Sequence, residues 1–210
     1  MRAVCAALLG WFVCVLSWGQ LVGGSSESLA TVGERPNPVA QTIVDAMRST
    51  TGADMAFLGA AFFNETASVP ATGFTAEDLV KALAHPDDEV VVLSLRGEQI
   101  LQALERALEL YPQRNNAFLQ LAGVEVRFSP RADVGKRVVS VVIAGAKLEP
   151  ERLYKVATTA PMARGALGYF RIWSREQITL ATGRTLAEVI GDYLKRQRSL
   201  ITQPAWIAQP

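Results

Sequence analysis

The stretch VVVLSLRGEQILQALERALELYP, from Val90 to Pro112, sets the tightest limit on how this chain folds. Its first six residues are a β-branched, apolar run that suits a buried strand. The residues after it repeat apolar side chains at helical spacing. Ile100, Leu101, Leu104, Ala107, Leu108 and Tyr111 form one stripe, and Pro112 ends it. A strand that runs straight into an amphipathic helix must share one core with it, so helices have to be layered on a sheet.

The rest of the chain repeats that alternation. Val39, Ile43, Ala46 and Met47 recur at helical spacing, and Gly52 follows as a stop. Asp54–Leu58 reads as a short strand and 68–73 as a turn region. Thr75, three residues before Asp78, opens a helix over Ala76–Ala84 with a capping-box pattern. Val124–Phe128 alternates apolar and polar residues, the period of a half-buried strand, and Val138–Ile143 is the next strand. A turn at Glu149–Pro150 leads to a strand over Tyr154–Thr158. The last helix covers Thr185–Gln197, with Leu186, Val189, Ile190, Tyr193 and Leu194 facing in. Several strands are hairpin-connected, so the expected class is α+β, a mixed sheet packed with helices.

The chain has 210 residues, half of them apolar, with 21 basic and 20 acidic residues for a net charge of +1. That balance gives no basic face, and no nucleic-acid partner is expected. MRAVCAALLGWFVCVLSWGQ reads as a secretory signal peptide over 1–19, with Ser17 and Gly19 as the small residues of the cleavage site. The alternative, an uncleaved anchor, has an apolar run shorter than the ~20 residues of a comfortable span. The expectation is export to a periplasmic or extracellular space, with no stable membrane span after cleavage. Cys5 and Cys14 both lie in that run, so the mature chain has no thiol and no disulfide. A flexible leader is expected over 20–35, one domain over 36–198, and an apolar tail over 199–210 that either packs on the domain or dangles.

HPDDE, His85 to Glu89, gathers one histidine and three carboxylates, but consecutive turn residues rarely converge on a metal. A solvated turn is the better reading, with Asp87 and Asp88 as ordinary surface residues. His85 is the only histidine, which rules out a dinuclear centre built on histidines. No G-x-S-x-G and no Gly-rich phosphate loop occurs. Two stretches remain suggestive. One is the loop Gly59–Thr66. The other is VATTAPMARGALGYFRIWS, Val156–Ser174, where arginines stand beside aromatic rings. Such a loop either holds an anionic, ring-bearing ligand or closes the domain as an aromatic cluster, and spacing alone favours the cluster.

Taken in order, these segments resemble the C-terminal domain of the 5′-nucleotidase family. The resemblance covers roughly Pro36 to Arg196. VVVLSLRGEQILQALE, and FLQLAGVEVRF followed by a Gly turn and VVSVVIAG, carry it most strongly. It implies a partner domain in front, a metallophosphatase with two metal ions on Asp, His and Asn ligands, which does the hydrolysis. The C-terminal domain would supply specificity by stacking a nucleobase between rings and holding its anionic side with arginines. Only the expected signal and leader precede Pro36, so the expectation is a domain standing without that catalytic part. It would have no cofactor of its own, and divalent metal would enter only through a separate metallophosphatase chain.

The specificity loops depart from the family pattern. Asn64 stands where the family has Arg, Pro161 where it has a stacking Phe, and Ala166–Leu167 where it has Gly-Asp, while Gly165, Gly168 and Tyr169 persist. Phe63, Asn64, Asn116, Phe118, Arg164 and Tyr169 are the candidate ligand-binding residues, for a nucleoside or nucleotide held weakly. No catalytic residue is assigned. The family is a hydrolase, and the chain alone is not expected to be catalytic. The remaining alternative is a cell-envelope structural or interaction domain with a degenerate nucleotide site, using its tail to dock.

Overall fold

Asn37 opens the first helix. Its Oδ1 accepts hydrogen bonds from the backbone N–H groups of Val39 (3.0 Å) and Ala40 (3.2 Å). Pro38 follows in the first turn, where a missing N–H leaves no bond unmade. Gly52 closes the helix in the left-handed conformation, at φ 65°, with its N–H bonded to the Arg48 carbonyl. The structure is a computed structural model that describes residues 25–209. The signal peptide expected over 1–19 lies outside the described residues.

In chain order the elements are β1 (Ser26–Ser28), α1 (Pro38–Thr51), β2 (Met55–Gly59), β3 (Ser68–Pro70), α2 (Ala76–Lys81), β4 (Glu89–Arg96), α3 (Gly97–Ala107), β5 (Leu119–Ala122), β6 (Val124–Phe128), β7 (Val138–Ile143), β8 (Ala146–Lys147), β9 (Leu153–Thr159), α4 (Ala160–Ala163), β10 (Ile178–Thr185), α5 (Leu186–Leu194) and β11 (Trp206–Ala208). Five strands form one sheet in the order β10-β4-β9-β2-β5, and four form a second in the order β11-β6-β7-β8. In the first sheet β2 and β9 run parallel and the other neighbours antiparallel. In the second, only β11 and β6 run parallel. Helices α1 and α5 pack on each other and on the first sheet, while α3 packs on β4 of one sheet and β7 of the other. The α+β class with mixed sheets agrees with the sequence pattern. Among the described residues no helix is long and apolar enough to cross a membrane.

Three local readings are corrected. The flexible leader expected over 20–35 is, in its described part, 25–35, built into the fold. Ser26–Ser28 pairs with Ser68–Pro70, and Leu29 and Val32 are fully buried. The reason is a buried amide on β5. Gln120 donates from Nε2 to the carbonyls of Val32 (2.7 Å) and Arg35 (2.9 Å), and its Oε1 accepts the N–H of Asn37 (3.0 Å). Second, Leu101 turns outward although the helical stripe includes it; the buried side of α3 is Gly97, Ile100, Ala103, Leu104 and Ala107. Third, Ile178–Thr185 is a strand on the sheet edge, where the pattern of residues signals no element. The tail packs instead of dangling. Trp206 is buried and its Nε1 donates to the Leu119 carbonyl (2.8 Å).

Gln120→Leu removes three hydrogen bonds and leaves their backbone partners inside. A loss of about 3 kcal/mol of stability is expected, measured by urea unfolding, together with faster proteolysis within 25–35.

Candidate functional site

Strand direction gathers the site. Gly59 at the end of β2 pairs with Leu119 at the start of β5, and Val90 near the start of β4 pairs with Thr159 at the end of β9. Because β2 runs parallel to β9, the segments over 60–64, 85–88, 115–118 and 160–171 all leave the sheet at one end. All six candidate residues therefore lie at that end.

The opening loop is a single tight turn, Ala60–Phe62. It is pinned to the chain before β5 by Ala60 N–H to the Phe118 carbonyl (2.8 Å) and Ala61 N–H to the Asn116 carbonyl (3.1 Å). Phe63 pairs with Leu83 and is buried. The exposed Asn64 folds its side chain back: Oδ1 accepts from the N–H (3.2 Å) and hydroxyl (2.8 Å) of Thr66. Glu65 and Arg114 form an ion pair between the two loops, one that the sequence did not announce.

The second loop turns on Gly165 and Gly168, both left-handed at φ 89° and 82°, with Leu167 between them at φ 57°. A Cβ on Gly168 would displace the Arg106 guanidinium, and the left-handed backbone is what calls for glycine at this position. Arg106 donates from Nε to the Leu167 carbonyl (3.2 Å), and its guanidinium lies 5.4 Å from the centre of the Tyr169 ring. This clamp joins residues 61 positions apart, which no local pattern encodes. Leu167 in turn covers Gly59, where an added Cβ would run into its Cδ1.

Tyr169 is 0% exposed. Its hydroxyl donates to the Ala117 carbonyl (2.7 Å). Its ring stacks on Trp173 at 4.8 Å and 11°, and Trp173 stacks on Phe57 at 5.1 Å and 29°. The indole N–H donates to the Met162 carbonyl (2.9 Å). Phe118 is also buried, 5.4 Å from Trp206. Of the six candidates only Asn64, Asn116 and Arg164 face solvent. The three candidate rings are used inside the core; in the second loop Tyr169 and Trp173 form a closed cluster, while Phe170 stays exposed beside Arg171.

Asp88 also lies at this end and is not an ordinary surface carboxylate. Its Oδ2 is buried with no hydrogen-bond partner, as are the hydroxyls of Thr158 and Thr159. Burial raises the Asp88 carboxyl above its usual value, while His85 and Arg164 pull it back down. The sequence hid this because HPDDE reads as a uniformly charged turn. Among the described residues no three His, Cys, Asp or Glu side chains are placed to hold a metal ion. The two-metal centre that the resemblance assigns to a front domain has no ligand set on these residues.

A family model described as 5′-nucleotidase, C-terminal domain, matches residues 19–174. The chain belongs to this family. It is similar to the 5′-nucleotidase of Diplobatis ommata, 27% identical over 115 residues that make up 51% of this chain and 20% of that protein. The snake venom 5′-nucleotidase of Naja atra is 28% identical over 113 residues, 50% of this chain and 21% of that protein. Among solved structures, the 5′-nucleotidase precursor of Thermus thermophilus superimposes with a TM-score of 0.76 at 25% identity, over 89% of this chain and 39% of that one. The chain thus spans about a fifth of the length of the curated relatives it matches.

Burial holds the Tyr169 hydroxyl neutral, far above the ordinary tyrosine range, against the pull of Arg106. A raised folded-state value means that this contribution to stability is whole below about pH 10, where unfolded tyrosine titrates, and is lost as pH rises beyond it. Tyr169→Phe should lower stability by about 1 kcal/mol at neutral pH and flatten the alkaline fall. Denaturation followed at about pH 7 and pH 11 reads both effects. Gly168→Ala should be harsher, about 2 kcal/mol, because the left-handed backbone and the Arg106 clamp are both disturbed.

Proposed function

We propose that this chain is a non-catalytic specificity or accessory module of a 5′-nucleotidase system, acting beside a metallophosphatase domain that brings the metal ions. The observation that carries this reading is the end of the sheet. Loops converge there and offer Asn64, Asn116 and Arg164 to solvent, while the candidate rings Phe63, Phe118 and Tyr169 are buried and the exposed ring of the second loop is Phe170. Hydrolysis belongs to the named relatives as whole proteins, and this chain matches a fraction of their length.

Magnitudes favour weak nucleotide binding. A lost stacking face removes roughly 1–3 kcal/mol. A lost charge-assisted bond to phosphate removes about 1.5–3 kcal/mol. Together they bring a micromolar ligand, worth about 8 kcal/mol, toward the millimolar range. Export, to a periplasmic or extracellular space, is part of the proposal and rests on the apolar run and small residues within 1–19. The competing reading, an interaction domain that docks through its tail, is disfavoured because the Trp206 side chain lies in the core.

The test is a thermal-shift and phosphate-release screen of the chain with nucleosides, nucleotides and nucleotide sugars, with and without Mg2+, Mn2+ or Zn2+. The reading predicts no phosphate release and no shift below millimolar ligand. Adding the chain to a metallophosphatase domain from the same system should change that domain's KM among nucleotides. Metal-dependent turnover by the chain alone would overturn the proposal.

A further inference from the structure

The helical stripe assigns Leu101 to the inward side of α3, but the structure leaves it 40% exposed. It stands between two depressions on the outer side of the helix. The larger, of about 630 Å3, is floored by Leu101, Val138 and Ile172 and flanked by Lys136 and Arg171. The smaller, of about 320 Å3, continues over Val138 and Leu148. They share Leu101 and Val138 and so form one groove, along roughly 13 Å of helix between Gly97 and Arg106.

The groove walls are tied together. Glu105 accepts the N–H groups of Arg137 (3.0 Å) and Val138 (2.7 Å), which fixes α3 to β7. Gln99 Nε2 donates to the Ile172 carbonyl (2.6 Å), which fixes α3 to the loop after Tyr169. A groove held on both sides keeps its shape when empty, as small-molecule sites usually do.

Charge says what fits. The Glu105 carboxylate is engaged by those two N–H groups, and Arg106 is engaged by the Leu167 carbonyl and Glu109. Lys136 and Arg171 are exposed on different segments, and neither is among the ion pairs of the described residues. At the other end Glu98 and Lys147 offset each other. The positive excess therefore sits at one end of an apolar floor. We propose that this groove binds a small amphiphilic carboxylate, its chain along Leu101 and Val138 and its anionic head between Lys136 and Arg171. This does not rest on the nucleotide reading, because the groove lies on the outer side of α3 and none of the six candidate residues lines it.

Isothermal titration of the chain with decanoate, octanoate and decyltrimethylammonium tests it. Decanoate should bind saturably at one site, roughly fifteenfold more tightly than octanoate because each of its two extra buried methylenes is worth about fourfold. The cation of equal chain length should bind at least tenfold more weakly. Leu101→Glu should abolish saturable binding, and Lys136→Glu with Arg171→Glu should weaken it at least tenfold. Leu180→Glu, on the exposed face of β10, should change nothing. Circular dichroism checks that each variant folds. Equal binding of the anionic and cationic chains, unchanged binding by the folded Leu101→Glu variant, or no saturable decanoate binding up to millimolar concentration would each overturn the proposal.

Discussion

The stack of Tyr169 on Trp173, and of Trp173 on Phe57, is the contact around which this end of the molecule is arranged. It forms only because Gly165 and Gly168 turn the chain through left-handed backbone, which brings Tyr169 back under its own loop. Once there, the phenol donates to the Ala117 carbonyl and the indole to the Met162 carbonyl. The first bond ties the loop after β9 to the segment before β5, and the second closes that loop on itself. Aromatic pairs of this geometry contribute about 0.5–1.5 kcal/mol each beyond the area they bury, so opening the stack for a ligand is opposed by several bonds and contacts together.

That arrangement bears on the two readings of an arginine-and-aromatic loop. A ring that serves a ligand must present a face, whereas Tyr169 presents none. The candidates that remain outside are polar, Asn64, Asn116 and Arg164, and the exposed ring of the second loop is Phe170. The buried and unpartnered atoms of Asp88, Thr158 and Thr159 lie near the same end of the sheet. With the Thr50 hydroxyl on α1, they are the buried side-chain polar atoms without a hydrogen-bond partner among the described residues.

Much of the fold is legible in the sequence because its signals are local. Asn37 and Gly52 bracket α1, Thr75 and Asp78 cap α2, and the β-branched run over Val90–Leu95 lies in β4, all readable within a few residues. What escapes a local reading is non-local. The Gln120 amide holds the segment over 25–35 from 85 or more residues away, so the polar SES stretch and two isolated apolar residues resemble a loose leader. β10 is an edge strand with no fully buried residue, which leaves no alternation to detect. The six candidate residues, which the resemblance places in the cleft loops, share one end of the sheet. Their burial is not readable from the sequence, because it depends on where Trp173 and Trp206 dock.

The most direct measurement is the NMR signal of the Trp173 indole N–H as adenosine 5′-monophosphate is added. If the stack is sealed, that proton is protected from exchange and keeps its shift up to millimolar nucleotide. A shift or a loss of protection at micromolar nucleotide would mean that the rings open to a base, and the account of a closed aromatic core at this site would be wrong.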